Sequence, residues 1–468
     1  MRLEDIIKDT GANILHGDTD TEITAICSDS RKVCPGALFF AVKGCGADGH
    51  DYIEAALAAG AAAVADGDRR ALALCAASYY GHPSEQLNLV GITGTNGKTT
   101  TVTLLYDLFM NLGYNCGLLS TIANYVGTRR SEAVNTTSDP ITTNALLAEM
   151  VDAGCEYCFM EVSSIGMEQE RVTGLHFRAG IFSNLTRDHL DYHKTFAEYL
   201  RCKKLFFDHL GRDAAAIINI DDKNGPVMVQ NTAARVVTYS CRSIADHCCR
   251  IMEESFEGML LKIDGAEVWS RLIGRHNAYN ILAIYSTALE LGCDPTEALV
   301  GISRLAPVKG RLESLKGPRD IAVVIDYAHT PDALQNVLET LRDIAPARPL
   351  ACVFGCGGDR DKGKRPEMGR IAASMSDRIF VTSDNSRSER TEDIMQDIRA
   401  GIPAEDLAKA IFIGDRREAI RTALLTAAPS STILLAGKGH ETYQIIGTDK
   451  KHFDEREIVA ETFASIKD

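Results

Sequence analysis

The stretch Asn88-Leu-Val-Gly-Ile-Thr-Gly-Thr-Asn-Gly-Lys-Thr-Thr100 constrains this chain more tightly than any other. Leu89, Val90 and Ile92 read as the last residues of a short buried strand. Gly94 and Gly97 let the backbone turn sharply and approach a ligand with no Cβ in the way. After Lys98 the apolar period changes: Val102, Leu105, Phe109 and Leu112 recur at helical spacing, and Gly113 can close that helix. Strand, glycine turn and Lys-Thr at a helix start make a cradle for phosphates. Backbone N–H groups of Gly94, Thr95, Asn96, Gly97 and Thr100 face the anion, Lys98 adds a charge, and the Thr99 hydroxyl can hold Mg2+. The loop is a variant, because Ile92 stands where the usual pattern has a glycine.

Around this loop the chain reads as alternating strands and helices. Residues 1–88 form a small opening unit, with strands at Ile23 to Cys27, Ala37 to Val42 and Ala61 to Ala65 and a helix from Tyr52 to Ala59. Asp29-Ser-Arg31 closes the first of these strands; alone it reads as a turn. Residues 89–306 carry the phosphate loop, the polar segment Val134-Asn-Thr-Thr-Ser-Asp-Pro140 and an apolar strand, Phe159-Met-Glu-Val-Ser-Ser164. The carboxylate of Glu161 in that strand needs a cation or donors to be tolerated. Beyond another strand at Ile181 comes Arg187-Asp-His-Leu-Asp-Tyr-His193, then a helix from Phe196 to Phe207 with Tyr199, Lys203 and Phe207 on one face. Residues 307–468 repeat the alternation, with four apolar strands that run into polar loops at Asp326, Gly355, Ser383 and Gly437. Such loops share the carboxyl edge of a mostly parallel sheet, where α/β folds bind ligands.

The bulk numbers exclude some classes. A net charge of −14 argues against a general nucleic-acid binder. No apolar run is long enough to span a bilayer, and Met1-Arg-Leu-Glu-Asp-Ile-Ile-Lys8 lacks a signal peptide's apolar core, so a cytoplasmic protein without membrane contact is expected. Fourteen cysteines in 468 residues do not form a disulfide scaffold, and Cys155-x-x-Cys158 has no second pair to complete a zinc site; buried free thiols are expected.

The ordered set of motifs resembles the Mur ligases of peptidoglycan synthesis over nearly the whole chain. It comprises the segments above together with Arg275-His-Asn277, Gly310-Arg-Leu-Glu313, Asp326-Tyr-Ala-His-Thr-Pro331, Gly358-Asp-Arg-Asp-Lys-Gly-Lys-Arg365, Asp384-Asn-Ser-Arg387 and Gly437-Lys-Gly-His-Glu441. The resemblance implies an α/β protein of three domains: 1–88 for the UDP-sugar peptide, 89–306 for ATP and catalysis with a P-loop-type parallel sheet, and 307–468, Rossmann-like, for the incoming amino acid. It implies that the D-Glu carboxylate of UDP-MurNAc-L-Ala-D-Glu attacks the γ-phosphate of ATP. The amine of a diamino acid then displaces phosphate from the acyl phosphate. Bringing a carboxylate to a triphosphate demands charge neutralisation.

Residue by residue, the resemblance assigns catalysis to Lys98, Glu161, His189 and Lys203, with Thr99, Glu161, His189 and Lys203 on metal and Lys203 carbamylated. It places Asn277, Arg311 and Asp326 on the nucleotide, and Ser30, Asn135, Thr136, Thr137, Ser163 and Arg171 on the UDP substrate. Arg360, Asp384, Asn385, Arg387, Gly437 and Glu441 match the set that binds meso-diaminopimelate, and Arg387 suits the distal carboxylate that L-lysine lacks. A monomer is implied. The sequence departs from the pattern in three places: Ser386 replaces a proline, Ile165 replaces a histidine, and Cys45-Gly46 alters the opening loop. The alternatives are the same reaction with L-lysine, or a nucleotide-binding switch that makes no bond.

Overall fold

Short apolar segments pair into sheets whose carboxyl edges carry the polar loops. The computed structural model describes residues 1–44, 46–186 and 188–466. Cys45 of the altered opening loop and Arg187 of the histidine-rich motif lie outside the described residues. The chain divides into two compact units, Met1–Cys249 with Tyr279–Ile302, and Arg250–Ala278 with Ser303–Asp468. Residues 250–278 are thus gathered with the second unit by packing, although sequence spacing runs them on from the middle segment.

The first unit holds two sheets. The smaller has the order Asn13–His16, Ala63–Asp66, Ala37–Ala41, Ala25–Cys27, parallel except for its first strand. In the larger, Arg235–Ser240, Ala215–Asn219, Ala179–Phe182, Asn88–Thr93, Tyr157–Glu161 and Cys116–Leu119 run parallel in that order. Asn124–Val126 and Arg129–Ser131 extend it antiparallel. The register aligns Phe182 with Thr93 and Ile92 with Glu161, so three adjacent strands deliver their ends to one place. The central strands are buried throughout, as a parallel sheet covered on both faces requires.

The strand expected to run from Phe159 to Ser164 stops at Glu161. Ser163 turns its hydroxyl onto the Gly166 N–H at 3.0 Å and caps a short helix, Ser164–Glu168; this local bond outcompetes strand extension. The helix Phe196–Asp208 lies against the sheet at two glycines. A Cβ on Gly91 would stand 2.6 Å from the Phe206 ring, and one on Gly180 2.9 Å. Phe206 is fully buried there, and burying such a ring stabilises by roughly 1.5–3 kcal/mol. That close seat fixes where Tyr199 and Lys203, on the same face, must point.

In the second unit, Ala322–Asp326, Thr432–Ala436, Leu350–Phe354, Arg378–Val381 and Ala410–Phe412 form a parallel sheet in that order, with Glu313–Lys316 antiparallel at one edge. Apolar clusters cover both faces, one around Leu338, Phe354 and Met368, the other around Ile420, Leu435 and Val459. Among the described residues no helix is long and apolar enough to cross a membrane.

Candidate functional site

The phosphate loop is shaped by positive-φ glycines and tied down by the neighbouring strand end. Gly94 has φ +153° and Gly97 φ +88°. A Cβ on Gly94 would fall 1.9 Å from Ser183 Oγ, and one on Gly97 2.5 Å from Asn280 Oδ1, so only glycine fits either position. Asn184 clasps the loop: its Oδ1 accepts from Asn96 N at 3.0 Å and its Nδ2 donates to Asn96 O at 3.1 Å. Ser183 Oγ donates to the same Asn96 carbonyl at 2.7 Å. Thr95 Oγ1 bonds Thr186 and lies 3.1 Å from the Tyr199 hydroxyl. The helix Lys98–Asn111 then starts at Gly97, and Gly113 closes it as expected: its N–H returns to Met110 O, and Tyr114 N to Phe109 O.

Four of the expected catalytic and metal residues converge on this loop. Glu161, 1% exposed, accepts from Thr99 Oγ1 and from the Thr121 N–H, each at 2.8 Å. Lys98 Nζ donates to the carbonyls of Gly94 and Thr95 at 2.9 and 2.8 Å. Lys203 Nζ, on a side chain almost wholly buried, donates to the same Gly94 carbonyl at 2.7 Å. Burial, reinforced by the nearby Lys98 ammonium, holds the Lys203 amine well below the usual lysine range. Two lysine Nζ atoms thus share one carbonyl at the mouth of an anion cradle, and both cannot readily be charged there. That arrangement is electrostatically costly unless negative charge joins it.

The donor set suits Mg2+ in part. A hydroxyl and a buried carboxylate held 2.8 Å apart are the hard oxygen donors that ion takes alongside phosphate oxygens. Lys203 as an ammonium is a donor only and cannot ligate; with CO2 added it would present carboxylate oxygens. His189, at φ +53°, sits edge-on to the Tyr199 ring, 6.1 Å between centroids, with its Nε2 3.6 Å from Asp188 Oδ2.

A second group of expected residues adjoins Glu161. Thr137 Oγ1 bonds the Glu161 carbonyl at 2.9 Å and Ser163 Oγ at 3.1 Å, while Thr136 accepts from Thr121 Oγ1 at 3.1 Å. Arg171 Nη1 donates to Thr137 O at 2.6 Å, and Gln169 holds the rest of that guanidinium. Asn135 is exposed near them in sequence, and Ser30 lies half-buried on the turn after Ala25–Cys27. In that turn Asp29 takes Arg31 in a fork at 2.9 Å, which lowers the Asp29 pKa to about 2. His193 is not singled out by its motif. It is 4% exposed and bonds Ser164 Oγ at 2.9 Å, immediately before Ile165. A histidine therefore does meet this short helix, from a position that sequence order does not reveal.

The remaining expected residues belong to the second unit. Asp326 is buried, and each of its carboxylate oxygens accepts a backbone N–H, from Leu312 and from Ala328, both at 2.8 Å. Arg311 stacks over the Tyr327 ring at 5.0 Å, and Asn277 donates to Ile273 O at the start of its helix. The loops after Arg378–Val381 and Thr432–Ala436 interlock. Asn385 Nδ2 donates to Glu441 Oε2 at 2.9 Å, and Gly437, at φ +114°, lets the chain pass within 3.0 Å of Asp384 Oδ2 where a Cβ would sit. Arg387, at φ +49°, aims Nη1 at Gly358 O at 2.9 Å, and Arg360 is exposed beside Gly357. Lys438 lies beneath them, wholly buried, 3.0 Å from Glu441 Oε2, 3.1 Å from Asn385 Oδ1 and 3.4 Å from Asp384 Oδ1. Arg416, also buried, pairs with Glu455 at 2.8 Å and donates to Ser383 O and Ala436 O, tying the two strand ends together.

Known proteins resemble the chain along nearly its whole length. Residues 22–91 match the Mur ligase family catalytic domain, 92–288 the Mur ligase middle domain and 310–439 the Mur ligase glutamate ligase domain. A protein of Phocaeicola vulgatus named UDP-N-acetylmuramoyl-L-alanyl-D-glutamate--2,6-diaminopimelate ligase is 48% identical, covering 99% of this chain and 100% of its own. The protein of that name from Parabacteroides distasonis is 47% identical over 99% of each. A solved structure of a ligase with the same name superposes with a TM-score of 0.72 at 29% identity, over 99% of both chains.

Proposed function

This chain belongs to the Mur ligase family, and we infer that it is the ATP-dependent ligase that joins meso-diaminopimelate to the D-Glu carboxylate of UDP-MurNAc-L-Ala-D-Glu. The observation that carries the reading is the convergence of Lys98, Thr99, Glu161 and Lys203 on the loop from Gly94 to Thr99. It acts as a monomer in the cytoplasm, with residues 1–88 serving the UDP substrate, 89–306 ATP and 307–468 the amino acid.

The chemistry assigns these residues their tasks. The D-Glu carboxylate attacks the γ-phosphorus, the bond to the bridging oxygen breaks, and ADP leaves an acyl phosphate. Lys98 and the loop N–H groups neutralise the triphosphate so that a second anion can approach. Thr99 and Glu161 are the residues to hold Mg2+, which when bound supplies further positive charge at the phosphates. Thr137, Ser163 and Arg171, already bonded to one another, orient the carboxyl end of the UDP substrate. Lys203 takes up CO2 through its neutral amine and releases a proton; the product is an anionic oxygen donor that, with His189, fits a second metal. Asn277, Arg311 and Asp326 hold the nucleotide. The acceptor amine then attacks the acyl carbon and phosphate departs. Arg387 forks onto the distal carboxylate of the acceptor and Glu441 meets its distal ammonium.

Phosphate release from ATP with UDP-MurNAc-L-Ala-D-Glu tests the reading directly. Turnover is expected with meso-diaminopimelate and lost in Arg387→Ala. Turnover with L-lysine instead would overturn the acceptor assignment; none with either would return the non-catalytic switch.

A further inference from the structure

Lys438 is a fully buried cation of the acceptor loops that the proposed mechanism leaves unused. Its ammonium faces two carboxylates, Glu441 at 3.0 Å and Asp384 at 3.4 Å, with the Asn385 carbonyl oxygen at 3.1 Å. The side chains of Lys438, Asp384 and Glu441 are 0%, 9% and 11% exposed, so their charges act through little solvent. Asp384 stays ionised: burial alone would raise its pKa, but Lys438 and Arg416 outweigh it and lower it. Arg416 is itself matched by Glu455. The charged groups left to meet a ligand are therefore two carboxylates, the Lys438 ammonium, the Arg387 guanidinium and the exposed Arg360 guanidinium beside Gly357.

We propose that Lys438 determines acceptor specificity by neutralising one of these two carboxylates, so that the pocket accepts a distal amino-acid end carrying both ammonium and carboxylate and rejects a lone ammonium. The proposal rests on the reading that the acceptor binds at these loops. A zwitterionic end adds no net charge: its carboxylate takes Arg387, and its ammonium shares Glu441 with Lys438. A lone ammonium would bring a further cation to two carboxylates that Lys438 already serves and leave Arg387 without its partner, so two penalties act together. The same contacts position Glu441 and Asn385, since Asn385 Nδ2 bonds Glu441 while its Oδ1 accepts from Lys438 and from the Ile445 N–H.

Removing the charge while keeping the bulk should invert part of this selection. In Lys438→Met the freed carboxylate becomes available to a lone ammonium. The ratio of kcat/KM for L-lysine to that for meso-diaminopimelate is expected to rise by about tenfold or more, with the KM for ATP unchanged. If that variant fails to fold, Lys438→Gln, which keeps a donor toward Glu441 without the charge, carries the same expectation. A purely structural role would lower both activities together; a ratio within about twofold of the unaltered enzyme in the folded variant overturns the proposal. The unaltered enzyme serves as the separate check. Turnover of neither amino acid would sink the acceptor reading itself, whereas diaminopimelate turnover with an unmoved ratio would sink only the role of Lys438.

Discussion

Lys203 poses a question that its charge alone cannot answer: why a lysine should be buried on the carbonyl of Gly94, where Lys98 already donates. Desolvation and the neighbouring ammonium both favour the neutral amine, the form that reacts with CO2. Enzyme equilibrated with 13C-bicarbonate should therefore show a carbamate carbon resonance that Lys203→Arg lacks. The same variant should lose on the order of 10²-fold in kcat, the scale of one displaced metal interaction. An undiminished carbamate signal in Lys203→Arg, or unchanged kcat, would remove Lys203 from the site. At this scale the sequence was informative where a residue type is chemically committed, as with Gly94, Gly97, Lys98 and Glu161. It was silent on His193 and Lys438, because their meaning lies in distances to Ser164 and to Glu441 and Asp384 that no spacing encodes. Asp326 is an intermediate case: its type suits a ribose, and the one backbone N–H on each of its oxygens fixes the carboxylate while leaving lone pairs for a ligand.

Among the elements, the helix Lys98–Asn111 carries an unusual burden, since Asp107 is half-buried on it and burial lifts its pKa to about 6. A carboxyl whose folded pKa exceeds its unfolded value of 3.8 binds its proton more tightly when folded. Its contribution to stability is thus greatest below pH 4, declines as pH rises through 4 to 6, and is fully lost above that. Asp107→Asn should abolish that decline. By thermal or urea denaturation the variant is expected to gain roughly 3 kcal/mol over the unaltered protein at pH 7 and about nothing at pH 3.5. An equal difference at both pH values would mean that Asp107 does not titrate as burial dictates. Helices and buried strands of this kind were legible from periodicity: Phe196–Asp208 falls within a residue of its expected range, and Leu350–Phe354 and Thr432–Ala436 end where the loops at Gly355 and Gly437 were expected to begin. The strand before Ser164 was overextended because a hydroxyl cap leaves no trace in hydropathy. Gly91 and Gly180 showed nothing of their purpose, which is to admit Phe206 from a helix far along the chain.

For the molecule as a whole, the residues proposed for phosphoryl transfer and those proposed for the acceptor lie largely in different compact units: the phosphate loop, Glu161 and Lys203 in the first, the loops of Asp384 and Glu441 in the second. The parallel sense of the sheets follows from βα alternation, but their strand order and the packing of residues 250–278 with the second unit depend on long-range contacts that local sequence cannot express. On the proposed assignment the two half-reactions draw on different sets of residues. Forming the acyl phosphate consumes the D-Glu carboxylate and ATP without requiring any acceptor contact; forming the amide requires a bound amine, which Arg387 and Glu441 are proposed to present. Arg387→Ala should therefore stop amide synthesis while leaving the first half-reaction intact. Supplied with UDP-MurNAc-L-Ala-D-Glu, ATP and hydroxylamine in place of the amino acid, that variant is expected to form the hydroxamate at a rate within about threefold of the unaltered enzyme, the scale of an effect confined to acceptor binding. Lys98→Ala should form none under the same conditions, because the anion cradle is lost. Should Arg387→Ala also fail to give hydroxamate, the acceptor loops would be taking part in phosphoryl transfer, and the assignment of the two half-reactions to separate sets of residues would fall.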